Sequence, residues 1–289
     1  MFMEDIHGWD LDFKIIEPGG FIGNLTQLAT DDLLVTYAKL GSAIHQEGAA
    51  PIGYRTFVIL GSGCNGFWWL GEQVSDNHLL IFPTSNELQC VSEGDFEVYT
   101  ISIQMKIYDE IVHNLGLTRI NQNVVLLEKT VISYLRQLLD NVLTNNLVVY
   151  THALKQELIH KLIIASTKET EYLSPARSRD RALSRAVDYI RNIPSDHTPD
   201  MTELCRATSV SERTLQYAFK ERYQISPATF VRAWKLNLAR QLLINSNPAE
   251  TRISSIATNF GFHHMGQFSA YYKQLFSELP TETLRQRFS

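Results

Sequence analysis

Arg213, Gln216 and Tyr217 stand within one short stretch, Ser211 to Lys220 (SERTLQYAFK), whose apolar residues Leu215 and Phe219 lie four positions apart. On a helix that spacing puts Leu215 and Phe219 on one inward side and turns the other three outward. Their chemistry is recognition of base edges. A guanidinium can fork onto guanine, a carboxamide onto adenine, and a phenol can meet a thymine methyl or a phosphate. The pattern returns 53 positions later, at His264 to Lys273 (HMGQFSAYYK), where Phe268, Tyr272 and Lys273 echo Leu215, Phe219 and Lys220. In this second copy the sizeable outward residues are Met265, Gln267 and Tyr271. Lys220 and Lys273 add a cation at the same place in each copy, suited to phosphate.

Each copy needs a partner helix. Thr202 to Val210 (TELCRATSV) and Ser254 to Phe262 (SSIATNFGF) precede them, with small residues at matching places: Cys205 and Ser209, then Ala257 and Gly261. A small residue admits a second helix closely, and the residue four later opens the turn, so the layout predicts two helix-turn-helix units. Between them, Pro227 starts a helix reaching Asn245, with Phe230, Trp234 and Leu238 along one face. At 1.5 Å per residue it spans about 27 Å, enough to hold two reading helices about one DNA turn apart. A further one-faced helix carries Leu183, Ala186, Val187 and Ile190 and ends before Pro194.

At these residues the chain resembles the C-terminal DNA-binding domain of the AraC/XylS family of bacterial transcription regulators. The match runs through Val210-Ser211, Leu215, Phe219-Lys220, Ser226-Pro227, Lys235-Leu236, Ala239-Arg240, Leu242-Leu243, Ile256-Ala257, Gly261-Phe262, Phe268-Ser269, Lys273, Phe276, Pro280 and Arg285. The resemblance implies double-stranded DNA as partner and aligns Arg213, Gln216 and Tyr217 with base-contacting positions. The second copy departs from the family pattern. His264 stands where an acidic or hydroxyl cap is usual, Gly266 where Ser is frequent and Ala270 where Arg is frequent. The second head is therefore expected to rely on phosphate contact and DNA shape more than on base edges.

Charge supports the division. Residues 1–178 carry 11 Lys/Arg against 21 Asp/Glu, and residues 179–289 carry 15 against 10, within a chain of net charge −5. A basic C-terminal part behind an acidic N-terminal one is what a tethered nucleic-acid-binding domain would show. Cys64, Cys90 and Cys205 lie far apart and form no CxxC, which fits buried thiols of a reducing cytoplasm. No basic-then-apolar leader and no long apolar run appears, so a cytoplasmic chain with no membrane segment is expected.

From Phe21 to about Ile103 the segments are short, β-rich and punctuated by glycine, which predicts a small antiparallel barrel or double sheet. Helices are expected at Met105–Leu115, Val124–Leu143 and Leu147–Thr167, the last two joined at Asn145-Asn146. The expected fold is α+β: a small antiparallel β-barrel with a helical pair, then an all-α domain with two helix-turn-helix units. Expected boundaries are 1–120 for the β-rich domain, 121–168 for the helical pair, 169–180 for a linker and 181–289 for the DNA-binding domain. The resemblance implies a cupin-like sensor domain, a homodimer through the helical pair, a small-molecule effector, and RNA polymerase as partner if the chain is an activator. Tyr54, Arg55, Phe57, Trp68 and Trp69 could line an effector pocket, as aromatic walls with one charge suit a small anion; such aromatics also serve as plain core. The alternative function is a cupin-type enzyme with an accessory DNA-binding domain. It finds only His45 with Glu47 where metal cupins carry HxH and a following Glu, and His263-His264 lack partners, so no metal and no cofactor is expected. Arg177, Arg181 and Arg185 form a basic run read as solvated or DNA-facing.

Overall fold

The computed structural model describes residues 8–19, 23–83, 85, 87–117, 122–144, 148–167 and 178–285. The strands are β1 (Asp10–Ile15), β2 (Gly23–Ala29), β3 (Leu33–Leu40), β4 (Ile44–Ala49), β5 (Tyr54–Leu60), β6 (Phe67–Trp69), β7 (Glu72–Val74), β8 (His78–Ile81), β9 (Glu87–Ser92) and β10 (Phe96–Gln104). Helix α1 (Met105–Asn114), strand β11 (Val124–Leu126), and helices α2 (Lys129–Thr144) and α3 (Val148–Ser166) follow. The C-terminal part is helical: α4 (Ser178–Asn192), α5 (Met201–Thr208), α6 (Glu212–Tyr223), α7 (Pro227–Ile244), α8 (Ile253–Asn259), α9 (Met265–Phe276) and α10 (Pro280–Arg285). Two compact units emerge, one of residues 1–12, 23–41 and 46–173, the other of 13–22, 42–45 and 174–289.

In the first unit the strands form two sheets, ordered β1-β4-β9-β6-β7 and β11-β8-β5-β10-β3-β2. Every neighbouring pair of the six-stranded sheet is antiparallel. The expected antiparallel, sheet-rich region is present, as two sheets and not as a closed barrel. Strand alternation explains the core. Leu33, Val35, Phe57, Ile59, Leu79, Ile81, Ile101 and Ile103 present one face of this sheet to α1, α2 and α3. Hairpin β6–β7 turns on Leu70 (φ 49°) and Gly71 (φ 89°), two left-handed residues in succession, as a tight two-residue turn requires.

One expectation needs correction here. The helix expected from Val124 starts at Lys129. The β-branched pair Val124-Val125 extends the sheet by pairing with Leu80 and Leu79 on β8, which satisfies backbone groups a helix would leave bare. The pair α2–α3, expected to carry a homodimer contact, turns its leucine stripe into the first unit's own core. Leu135, Leu138, Leu158 and Leu162 are all buried in the unit's own core. Tyr99 Oη donates to Asp140 Oδ1 at 2.7 Å and Arg136 Nε to the Leu60 carbonyl at 2.8 Å, tying α2 to the sheet. Asn145, Asn146 and linker residues 169–177 lie outside the described residues.

The second unit buries Leu215, Phe219, Tyr223 and Phe230 in its first half. In its second half α7, α8, α9 and α10 meet through Leu236, Ala239, Leu243, Ala257, Phe268, Tyr272 and Leu284. The unit is wider than 181–289 because two earlier stretches complete it. His45, wholly buried, places its ring 5.6 Å from that of Trp234, and Tyr223 Oη lies 3.1 Å from its Nδ1. Asn237 on α7 clasps the Ile15 backbone, accepting from its N–H at 2.9 Å and donating to its carbonyl at 2.8 Å. Among the described residues, no helix is long and apolar enough to cross a membrane.

Candidate nucleic-acid interface

Local signals set the first helix-turn-helix. Asp200 caps α5 by accepting from the Glu203 N–H at 2.8 Å, and Glu203 reaches back to the Asp200 N–H, a reciprocal capping box. The helix ends at Ser209, which is left-handed (φ 58°), and α6 begins after Ser211, whose Oγ accepts from the Thr214 N–H at 3.3 Å. Leu215 and Phe219 are fully buried and hold α6 down. Arg213, Gln216 and Tyr217 are exposed together on its other side, as the spacing predicts. The Arg213 guanidinium lies 5.5 Å from the centre of the Tyr217 ring, and the Gln216 amide donates to Glu212 Oε1 at 2.9 Å. Before any partner arrives, then, two of the three polar heads already have local partners. Lys220 is exposed in the last turn, where its ammonium donates to the Gln224 carbonyl at 2.7 Å. Arg222, nearly buried, donates to Asp180 Oδ1 at 2.9 Å and ties the end of α6 to α4.

The second helix-turn-helix repeats the frame with weaker ends. Gly261 (φ 78°) takes the place of Ser209, but the cap stands three residues after it, against two in the first helix-turn-helix. That cap is His264, whose side chain makes no capping hydrogen bond. Phe268 and Tyr272 are fully buried like their counterparts, and α9 ends on left-handed Ser277 as α6 ends on left-handed Gln224. Gln267 and Lys273 are exposed, whereas Met265 and Tyr271 are half-buried against the core of this half. Arg232 of α7 lies 4.3 Å over the Tyr271 ring, a partner that sequence reasoning missed because 39 residues separate the two. A Cβ built on Gly266 meets nothing within 4 Å. The exposed polar side chains of α9 include the amides of Gln267 and Gln274 and the ammonium of Lys273.

The five residues considered for an effector are divided between the two sheets, Tyr54, Arg55 and Phe57 on β5 and Trp68 and Trp69 on β6. Phe57 belongs to the core shared with the helices, near Tyr108. Arg55 is buried and donates to the Phe82 carbonyl at 2.8 Å, so it does not offer its charge to an open cavity. Burial also lowers its proton affinity, against the pull of the Tyr108 hydroxyl. Trp69 stands edge-on to Phe82 at 5.0 Å and stacks on Phe67, on the other sheet; its indole N–H is buried without an acceptor among the described residues. Trp68 is buried beside it and Tyr54 is half-buried. Among the described residues no three His, Cys, Asp or Glu side chains come together as metal ligands would.

Comparison with known proteins agrees with this geometry. Residues 204–286 match the family model of a helix-turn-helix domain, which spans α5 to α10. The chain is 29% identical over 130 residues to the XylDLEGF operon transcriptional activator 3 of Pseudomonas putida, covering 43% of this chain and 39% of that protein. It is 32% identical over 100 residues to a protein named "Probable thc operon regulatory protein" of Rhodococcus erythropolis, covering 35% of this chain and 30% of that one. The chain thus spans well under half the length of these two relatives. Among solved structures, a transcriptional regulator with an AraC-type DNA-binding domain from Chromobacterium violaceum superposes with a TM-score of 0.34 at 27% identity, covering 37% of this chain and 91% of that one. With two helix-turn-helix units joined by one long helix, the family model over residues 204–286 and the two operon regulators it resembles, the C-terminal part of the chain is a helix-turn-helix domain of the AraC/XylS type.

Proposed function

We propose that the chain is a sequence-specific DNA-binding transcription regulator that lays α6 and α9 into successive major grooves. The observation that carries this reading is the repeated frame: two helices of 12 residues, each with two buried anchors and a polar outer face, joined by the 18-residue α7. Arg213, Gln216 and Tyr217 are the base-reading set of the first head. Gln267, Met265 and Lys273 serve the second, and Lys220 meets phosphate. A small-molecule signal received in the first unit, with Trp69 Nε1 as a donor for it, belongs to the same proposal, as do a cytoplasmic location, a homodimer, and RNA polymerase as a further partner if the chain activates. A dimer contact through α2 and α3 would have to use outward residues such as Tyr134 and Ile164, since the leucines are occupied. The histidine that the enzyme alternative would use, His45, is enclosed by Tyr223, Phe230 and Trp234.

The test is selection of binding sites from random duplex DNA by the full chain, followed by affinity measured against salt. Phosphate neutralisation releases counterions, so log K is expected to fall linearly with log salt for a selected duplex. An affinity unchanged between low and physiological salt, or a selection that enriches nothing, sinks the reading.

A further inference from the structure

We propose that Lys235 fixes the position of one reading head relative to the other, and so sets the spacing of DNA half-sites without touching DNA. The inference rests on the two-headed reading above. Lys235 sits midway along α7 and is 5% exposed. Its ammonium donates to Thr198 Oγ1 at 2.8 Å and to the Phe260 carbonyl at 3.2 Å. Thr198 lies two residues before Asp200, the cap of α5, in the entry to the first helix-turn-helix. Phe260 is the C-cap of α8, at the turn of the second. One cation on the connecting helix therefore holds a side chain of one unit and a backbone carbonyl of the other.

The two helix-turn-helix units also meet directly at this point. A Cβ on Gly261 would stand 2.6 Å from the Asp196 carbonyl oxygen, 3.1 Å from Lys235 Nζ and 3.1 Å from Thr198 Oγ1. The turn of the second unit thus lies against the entry of the first, closed around the ammonium. Burial lowers the proton affinity of Lys235, and the charge of Asp196 opposes that shift. Apolar packing is non-directional and tolerates small sliding, whereas a buried donor that loses its acceptors is left with an unmet desolvation cost. The junction accordingly resists rotation of the heads past each other. One base pair added between half-sites rotates them by roughly 35°, given 10–10.5 base pairs per turn. A rigid pair of heads must reject that shift.

The experiment uses the full chain and the bipartite duplex that the wild-type chain itself selects, remade with one base pair inserted or deleted between its halves. Lys235→Met keeps the apolar stem and removes the ammonium. It is expected to lose most of the preference for the original spacing while keeping its affinity for a duplex carrying one half-site. An unchanged preference overturns the inference. So does a matching loss on the single half-site, because Lys235 would then act on a head and not on the relation between heads. Thr198→Val, which removes one acceptor at constant shape, carries the same readout should Lys235→Met fail to fold by circular dichroism. A wild-type chain that selects no bipartite site removes the two-headed reading itself, a different result from an unaltered spacing profile.

Discussion

The guanidinium of Arg232, on the connecting helix, lies 4.3 Å over the ring of Tyr271, on the second reading helix. Tyr271 is half-buried and held from behind, so it is not a free probe of the DNA groove. A partly desolvated contact of this kind contributes about 0.5–2 kcal/mol. Arg232→Ala is expected to lower stability within that range by denaturant titration. It should also leave the base preferences of the first head intact in site selection, and a change confined to those preferences would contradict this placement.

The two heads should contribute unequally to sequence choice. Arg213→Ala is expected to cost about 1–3 kcal/mol in binding and to relax one position of the selected site. Gln267→Ala should cost less and weaken all sequences alike. Two half-sites of equal information content from the wild-type chain would show that α9 reads as sharply as α6.

The caps of the two reading helices offer opposite expectations. Ser211→Ala removes the oxygen that accepts from the Thr214 N–H and should destabilise by about 1 kcal/mol. At α9 there is no capping side chain to lose, and Gly266 faces open space. His264→Asp and Gly266→Ala should each stabilise, by about 0.5–1 kcal/mol, through a new cap and a lower chain entropy. Thermal unfolding of the three variants gives the signs; destabilisation by Gly266→Ala would place an unseen neighbour beside it.

Leu135→Asp should unfold the first unit and not merely separate two copies, since Leu135 is 1% exposed within its own chain. An unpaired buried charge costs several kcal/mol, about 3–5 where partners have been removed. Far-UV circular dichroism and sedimentation distinguish the outcomes: a folded monomer would restore the leucine stripe as a seam between copies.

Burial pushes the Cys90 thiol well above its ordinary pKa, and its Sγ lies 3.4 Å from Gln46 Oε1. The thiolate is the reactive form, so Cys90 should resist alkylation in the native chain while half-buried Cys64 reacts first. Mass mapping after a timed pulse of reagent checks this, and equal labelling of both would mean that the two sheets open readily.

Much of the second unit was legible in the chain because its signals are local. A turn opened at Ser209 and Gly261 and anchors four residues apart are short-range facts of helix geometry. They put Arg213, Gln216 and Tyr217 on one exposed face by local geometry alone. The helical pair shows the limit of the same logic. Periodicity marks which side of α2 and α3 is apolar but carries no information on what covers it, and here the cover is the chain's own sheet.

What the sequence determined by itself is the repeat and the outward chemistry of its first copy, both set by the period of a helix. What only the tertiary structure decided is long-range. Val124-Val125 became an edge strand because β8 had backbone groups to pair, and Arg55 turned to the Phe82 carbonyl. Tyr271 came under Arg232, and Lys235 joined Thr198 to the Phe260 carbonyl. These contacts link residues far apart in the chain, where no spacing rule operates. Their partners are fixed by the need to satisfy buried polar groups and fill space once the elements have packed.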